Sequence, residues 1–137
     1  MNFLPDVNVW LALLSARHVH NEDAVEWISE VADGSVALCR ITQMGLLRLL
    51  TNERVMGPDV VSAEKAWRLH DQLLKDPRFF FMSEPEDLAG KWREISSRKS
   101  GPSWTDGYLV AFATVGELRL VTFDKALNAS STNALIL

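Results

Sequence analysis

Short apolar runs alternate with longer amphipathic segments along this chain, and this alternation most constrains its fold. The apolar runs have the composition of buried strands and lie at residues 3–4, 36–39, 79–82, 118–123 and 134–137. Helical patterns separate these runs, so the strands are expected to pair in parallel through helical crossovers. The sequence therefore predicts an α/β fold: a three-layer α/β/α sandwich with a mainly parallel sheet of four to five strands.

The helical segments carry recognisable end signals. Polar residues that favour helix N-termini precede several of them, namely Asn21, Thr42, Ser62 and Ser103. Gly34 is placed to stop the second helix, and Pro85 suits a helix start. Gly57 and Pro58 indicate a loop. The predicted helices cover residues 7–16, 22–32, 43–50, 63–75, 85–98 and 104–115.

Size and composition indicate one globular domain over residues 1–137. Hydrophobic residues make up 47% of the chain and charged residues 23%, which excludes the disordered and low-complexity classes. The apolar runs are too short for a membrane span, and the first residues lack the basic region of a signal peptide. The single cysteine, Cys39, excludes an internal disulfide and a cysteine metal cluster. We expect a cytoplasmic protein that does not associate with membranes.

The charge balance narrows the classes of function. The formal net charge is −4 and the isoelectric point is near 5.3. A protein that binds nucleic acid mainly by releasing counterions is usually basic, so this acidity disfavours a static nucleic-acid binder. It leaves room for a metal-dependent nuclease, because there the bound cations meet the phosphate and the site itself is acidic.

Asp6, Asp106 and Asp124 lie in apolar surroundings, unlike the other acids. Asp6 and Asp124 each end a predicted strand, and Asp106 begins a helix that is otherwise apolar. Each has an alternative interpretation: a helix cap for Asp6, a favourable charge at a helix N-terminus for Asp106, and a turn residue for Asp124. Ligand sites in parallel sheets lie at the carboxyl ends of strands, so the three are expected to converge there. Converging carboxylates suit a hard cation such as Mg²⁺ or Mn²⁺.

Sequence blocks around these acids resemble the PIN-domain family. The blocks are DVNVWL at residues 6–11, WTDGYLVAFA at 104–113 and LVTFD at 120–124. The segment CRITQMGLLRLLT at residues 39–51 is similar to the VapC-type toxins of bacterial toxin–antitoxin pairs. The resemblance implies a PIN-like domain that is a metal-dependent endoribonuclease, a homodimer, and inhibited by a cognate antitoxin.

The resemblance also implies roles for individual residues. Asp6, Asp106 and Asp124 would hold Mg²⁺ or Mn²⁺, which polarises the scissile phosphate of RNA and activates a water molecule. Asn8 would orient a carboxylate or water, and Thr122 would supply a supporting hydroxyl. The alternatives are an ordinary helix-start residue for Asn8 and an ordinary strand residue for Thr122.

The chain departs from the family pattern at the start of the third helix. The family usually has a glutamate there, whereas this chain offers Gln43, Met44 and Gly45. Three carboxylates offset less positive charge than four, so the sequence leaves open whether one or two cations bind. Gln43 is either a neutral oxygen ligand or a solvent-facing residue, and the second interpretation is favoured.

Several other features have two interpretations. Arg17, His18 and His20 contact RNA phosphate or form a solvated loop, and His70 is interpreted as a satisfied core histidine. A basic group guides RNA or is a solvated helix end; its members are Lys91, Arg93, Arg98 and Lys99. Trp104, beside Asp106, is either a base-stacking residue or part of the core.

The sequence leaves more than one function open. The main alternative is a catalytically weakened PIN-like binding module that binds RNA or an antitoxin without efficient cleavage. A receiver-like phosphoacceptor domain is disfavoured because the middle predicted strand lacks an aspartate at its end. Some of the large apolar residues on the early helices are expected to exceed what one small core needs and to leave a patch that a homodimer covers; these residues include Trp10, Leu14, Trp27 and Trp67.

Overall fold

A five-stranded parallel sheet forms the centre of the molecule. The structure is a computed structural model that describes residues 1–129 and 133–137. The strands are β1 (Asn2–Pro5), β2 (Val36–Leu38), β3 (Phe79–Phe81), β4 (Leu118–Thr122) and β5 (Leu135–Ile136). They lie in the order β3-β2-β1-β4-β5, and every pair is parallel. The predicted fold class is confirmed; β1 extends one residue further at each end than predicted, and the other four strands are shorter than predicted.

Helices cover both faces of this sheet. They are α1 (Val7–Leu14), α2 (Asn21–Ile28), α3 (Arg40–Leu50), α4 (Glu53–Met56), α5 (Ala63–Lys75), α6 (Leu88–Ser96), α7 (Trp104–Val115) and α8 (Lys125–Ala129). The predicted caps of α5 and α7 are confirmed. The Ser62 hydroxyl accepts the N–H of Lys65 at 3.2 Å, and the Ser103 hydroxyl accepts the N–H of Asp106 at 3.3 Å. No helix in the described part of the chain is long and apolar enough to cross a membrane.

The prediction for the start of α2 is wrong. Asn21 is the first residue of α2 instead of its N-cap. Its side-chain amide donates to the carbonyl of Ala12 at 2.7 Å and so connects α2 to α1. The helix ends at Ile28 instead of residue 32, and Gly34, with a φ of +67°, lies in the loop beyond it.

The predicted start of α3 is also wrong. This helix begins at Arg40, so Thr42 lies in its first turn instead of capping it. The Thr42 hydroxyl accepts the backbone N–H of Cys39 at 3.1 Å and donates to the Cys39 carbonyl at 3.0 Å. A hydroxyl at the third helical position therefore stabilises the helix start from inside.

Other boundaries differ by a turn or less, or were not predicted. The helix predicted to start at Pro85 begins at Leu88, and α1 ends at Leu14 instead of residue 16. The loop expected at Gly57 and Pro58 is a short 3₁₀ helix, Gly57–Asp59. The short helices α4 and α8 have too few residues to show an apolar period, so the sequence did not predict them.

Alternating side chains of the strands divide the core into two halves. On β2, Val36 and Leu38 face the half that contains Trp10. Ala37 and Cys39 face the opposite half, which contains Phe112 and most of the buried face of α7. Because successive strand residues point to opposite faces, one sheet separates two helical layers. The predicted three-layer arrangement is therefore confirmed.

The chain reverses direction across the sheet between β1 and β4. It runs from β1 outwards to β2 and β3, and then returns to form β4 on the other side of β1. The register places Leu4 opposite Leu120 and Pro5 opposite Val121. In parallel sheets, ligands bind beyond the carboxyl ends of the strands at such a reversal. Asp6 and Asp124 lie there.

Gly45 allows α1 and α3 to pack closely beside this edge. A Cβ added to Gly45 would lie 2.9 Å from Cγ2 of Val7, and Val7 is stiff at χ1 because it is β-branched. We expect Gly45→Ala to lower the free energy of unfolding by about 1–3 kcal/mol in urea denaturation, since overpacking forces the helices apart. Val7→Ala in the same chain should recover part of the loss.

Gly90→Ala is the matched control, because an added Cβ at Gly90 in α6 meets nothing within 4 Å. That variant should be neutral or slightly stabilising, since alanine favours a helix over glycine. Equal effects of the two alanine variants would contradict the proposed close contact.

Candidate functional site

Asp6 joins β1, α1 and β4 through one buried carboxylate. Its side chain is only 8% exposed. One carboxylate oxygen accepts the backbone N–H of Val9 at 3.2 Å and so caps α1. The other accepts a hydrogen bond from the Thr122 hydroxyl on β4, and the Asp6 N–H donates to the Val121 carbonyl at 2.9 Å. Asp6 is therefore both a helix cap and a charged group held at the sheet edge.

Asp124 is positioned by the end of β4 and the start of α8. Its backbone N–H donates to the Thr122 hydroxyl oxygen at 2.9 Å. Its carboxylate accepts the N–H of Ala126 at 2.8 Å, as an aspartate does in a turn. The fully buried Thr122 thus contacts both Asp6 and the backbone of Asp124, because it is the last residue of β4.

Asp106 approaches from the helical layer that lies across the sheet from α1. It lies in the first turn of α7, after the cap at Ser103. Together with Asp6 and Asp124 it lines one cavity of about 310 Å³, hereafter the carboxylate cavity. Asn8 lines the same cavity. The structure therefore brings together the three acids and Asn8, while Thr122 lies behind Asp6.

Burial raises the pKa of Asp6 above its ordinary value of 3.8, and the negative charge of Asp106 adds to the effect. The hydrogen bonds from Thr122 and from the N–H groups of Val9 and Asn8 oppose it. The raised pKa means that ionised Asp6 costs stability in the folded protein. A cation in the carboxylate cavity would offset that cost.

The raised pKa of Asp6 gives a stability prediction. Asp6→Asn keeps a capping oxygen and removes the buried charge, so without divalent cations it should melt above the wild type at pH 7. The advantage should shrink as the pH falls through the raised pKa of Asp6 and vanish below the ordinary value of 3.8, because the wild-type carboxyl is then protonated in both states. Thermal melts of Asp6→Asn and the wild type between pH 3 and 7 in EDTA measure this difference in melting temperature.

Asp76 supplies a control, because its pKa is shifted in the opposite direction. Hydrogen bonds from Arg78 lower the pKa of Asp76, so its charge stabilises the fold above its ordinary pKa and the benefit is lost on acidification. Asp76→Asn should therefore be less stable than the wild type at pH 7 and approach it at low pH. The same sign for both variants would contradict the assignment for Asp6.

The residues around the carboxylate cavity suit an open cation site. Within residues 1–129 and 133–137, no group of three His, Cys, Asp or Glu side chains is arranged to hold a metal ion by itself. The available donors are carboxylate and amide oxygens, which hard cations prefer. Mg²⁺ usually keeps several waters and takes one or two carboxylates from a protein. The cavity therefore fits a partly hydrated cation and does not fit a closed cage of ligands.

Gln43 is neither a ligand nor a solvent-facing residue, which corrects the interpretation favoured by the sequence. It is 7% exposed. Its carbonyl oxygen accepts from Arg40 at 2.5 Å, and its amide nitrogen lies 3.0 Å from Nε2 of His70. His70 is a buried, hydrogen-bonded histidine, as predicted, with its other ring nitrogen 2.9 Å from Asp71. The third helix therefore adds no acid to the cavity.

Arg48 is the residue at this site that the sequence analysis missed. It is exposed on α3 and lines the carboxylate cavity with Gly45, one turn earlier. No ion pair involves it in the described part of the chain. The three-residue spacing from Gly45, which puts both on one helix face, is the signal that could have identified it.

His18 and His20 lie in the loop between α1 and α2, beside the acids. The His20 ring stacks on Phe123 with centroids 4.2 Å apart. Both histidines line a neighbouring cavity with Asp6, Asn8 and Asp124.

Arg17 and the basic side chains at residues 91–99 do not lie at the carboxylate cavity. Arg17 pairs with Asp59 at 3.5 Å. Glu94 on α6 pairs with Lys91 of the same helix and with Arg98 just beyond its end, at 3.5 and 3.6 Å. None of the predicted basic group at residues 91–99 lines the carboxylate cavity.

Comparison with known proteins decides the family. The PIN domain model matches residues 3–130. This chain belongs to the PIN-domain family. It is 41% identical to ribonuclease VapC41 of Mycobacterium tuberculosis over 131 residues, which cover 90% of this chain and 89% of that protein. The VapC-type resemblance of the sequence is therefore confirmed.

Solved structures share the fold of this PIN domain. FitAcB from Neisseria gonorrhoeae superposes with a TM-score of 0.74 and 23% identity, over 98% of this chain and 96% of that one. A toxin–antitoxin complex from Klebsiella pneumoniae gives a TM-score of 0.66 with 18% identity, over 98% and 96% of the two chains. At these identities the likeness concerns the fold.

Proposed function

We propose that this PIN domain is a metal-dependent endoribonuclease and the toxin of a VapBC-type toxin–antitoxin pair. The observation that carries the proposal is the meeting of Asp6, Asp106 and Asp124 at one cavity, where the chain reverses across the sheet. The relative at 41% identity is named a ribonuclease, and a complex of the same fold is a toxin with its antitoxin. Both support a ribonuclease toxin.

In this proposal, Asp6, Asp106 and Asp124 hold Mg²⁺ or Mn²⁺ together with water. The bound cation supplies Lewis-acid polarisation of the phosphate and a water of lowered pKa. Thr122 keeps the carboxylate of Asp6 in one orientation through its hydroxyl. Asn8 offers an amide to orient water or a carboxylate at the cavity wall. Arg48 offers its guanidinium to a phosphate oxygen, a geometry that suits arginine.

Three acids and one arginine favour a single cation. The third helix contributes no carboxylate to the cavity, and its lining residues are Ile41, Thr42, Met44, Gly45, Arg48 and Leu49. A second divalent cation would have less negative charge to hold it, whereas Arg48 already places a positive charge near the phosphate position. We infer that one cation supports cleavage.

The second candidate function is a weakened binding module that binds RNA or an antitoxin without efficient cleavage. The absence of an acid from α3 at the carboxylate cavity favours it. The three aspartates favour the nuclease, because a module that only binds RNA gains nothing from clustered negative charge. Cleavage assays on the purified protein separate the two.

The proposal includes an antitoxin partner, a homodimer and a cytoplasmic location. Of the large apolar residues from which the homodimer patch is expected, only some reach the surface. Trp10 and Trp27 are buried in the core of the single chain, where aromatic contacts hold them: Trp10 meets Phe79 and Trp27 meets Phe3, edge to face. Trp67 remains exposed, at 48%. Light scattering of the purified protein tests the dimer.

Asp106→Asn tests the role of the site. We expect cleavage of RNA to be abolished, because an amide is a poorer ligand for a hard cation, while the metal-free fold melts at or above the wild-type temperature. The reason is that Asp106 repels Asp6 across the cavity. Glu64→Gln, an exposed acid on α5, is the matched control and should cleave normally. An Asp106→Asn protein that melts lower and still cuts RNA would refute the assignment.

Metal removal tests the chemistry. Cleavage should stop in excess EDTA and return with Mg²⁺ or Mn²⁺. The initial rate should follow a single-site saturation curve in Mn²⁺, since one cation is proposed. Undiminished cleavage in EDTA would exclude the mechanism, and a sigmoidal curve would indicate a second cation.

A further inference from the structure

A second concave region opens beside the carboxylate cavity, and the proposed chemistry does not use it. Its volume is about 600 Å³. We call it the aromatic groove and define it by residues of α3, β3, α6 and α7 that line it: Arg40, Phe81, Trp92, Trp104, Thr105 and Tyr108.

The aromatic groove adjoins the carboxylate cavity. Ile41 on α3 and Thr105 on α7 line both. Thr105 directly precedes Asp106, and Trp104 precedes Thr105, so the groove begins where the proposed cation site ends. The groove is therefore next to the place where a phosphate would lie at the carboxylates.

Trp104 presents an unusually exposed aromatic surface. It is 72% exposed, yet contacts with Trp92 fix its position. The Trp92 indole N–H donates to the Trp104 carbonyl at 3.1 Å, and the two rings meet edge to face with centroids 6.2 Å apart. Trp92 meets Tyr108 in the same way at 5.4 Å. Edge contacts of this kind leave a large part of the Trp104 ring available for stacking.

Arg40 places positive charge in the groove. Its guanidinium lies 4.9 Å from the centroid of the Phe81 ring and donates to Gln43, so both contacts restrain it. The acid in the groove, Glu84, accepts the Tyr108 hydroxyl at 2.8 Å. A restrained cation beside an open aromatic face matches a nucleotide, which has a negative phosphate and a flat base.

We propose that the aromatic groove binds a nucleobase of single-stranded RNA next to the scissile phosphate, with the base stacked on Trp104 and a backbone phosphate at Arg40. This inference rests on the proposed ribonuclease function and assigns its substrate-positioning surface. Trp104 is a positioning residue, because it orients the strand while the carboxylates carry the reaction.

The test measures RNA affinity of the full chain with a fluorescent, short single-stranded RNA of mixed sequence. The Asp106→Asn background prevents cleavage. We expect Trp104→Ala to weaken binding by about fivefold or more, from the usual contribution of one stacked base. Trp104→Phe should keep most of the affinity. Trp67→Ala, which removes an exposed tryptophan from α5, should bind as the parent does.

A base-free probe separates stacking from a general loss of structure. An oligonucleotide of the same length, with every base removed, retains the phosphates and lacks stacking surfaces. The parent and Trp104→Ala should bind it equally, and Arg40→Gln should weaken it. In active protein, Trp104→Ala should raise KM for RNA and leave kcat within about twofold, since uniform binding is lost.

The outcomes are distinct. Equal RNA affinity of Trp104→Ala and Trp67→Ala, or an equal loss on both probes, would overturn the groove assignment. Loss of antitoxin binding alone in Trp104→Ala would assign the groove to a protein partner and also overturn it. A Trp104 effect on RNA affinity without any cleavage by the otherwise unaltered chain would support the groove and refute the nuclease. Cleavage of RNA by the unaltered chain, without an effect of Trp104→Ala on RNA affinity, would support the nuclease and refute the groove.

Discussion

The hydrogen bond between the Thr122 hydroxyl and the buried Asp6 carboxylate is the contact on which the site depends. It crosses from β4 to the end of β1, the two strands between which the chain reverses. The same carboxylate caps α1, and the same hydroxyl receives the N–H of Asp124. Two side chains thus set the start of a helix, the end of a strand and the spacing of two acids. Burial makes the charge of Asp6 costly, a cost that a bound cation would offset.

The third helix makes this cavity less negative than the family pattern, which usually has a glutamate there, and the fold is the same. Its close approach to α1 requires the small side chain of Gly45, and Gln43 is committed to Arg40 and His70. An acid is therefore absent from the part of α3 that lines the cavity, and Arg48 brings a positive charge instead. The acidity of the whole chain disfavours affinity from counterion release. Local contacts, from Arg48, Arg40 and the Trp104 ring, would have to supply the binding of RNA.

Much of the architecture could be predicted because its causes are local or periodic. Apolar runs of strand length located β1 to β5, and the hydroxyls of Ser62 and Ser103 located the starts of α5 and α7. Helix ends without a dominant local signal were predicted less well. Asn21 bonds to Ala12 instead of capping its own helix, and the hydroxyl of Thr42 acts from the third position of α3. Which groups these two side chains bond depends on the residues that the fold brings close to them.

The sequence by itself determined the α/β class, the parallel sheet and the three acids that stand out in apolar surroundings, because strand periodicity and the cost of burying a carboxylate act at each position. The tertiary structure alone decided which groups share the cavity. The order β3-β2-β1-β4-β5 brings Asp6 and Asp124 together, and packing of α7 and α3 adds Asp106 and Arg48 from distant parts of the chain. It also decided that Trp10 is buried while Trp104 is exposed. Both tryptophans lie on apolar helices, and only the packing of neighbouring layers determines which one solvent reaches.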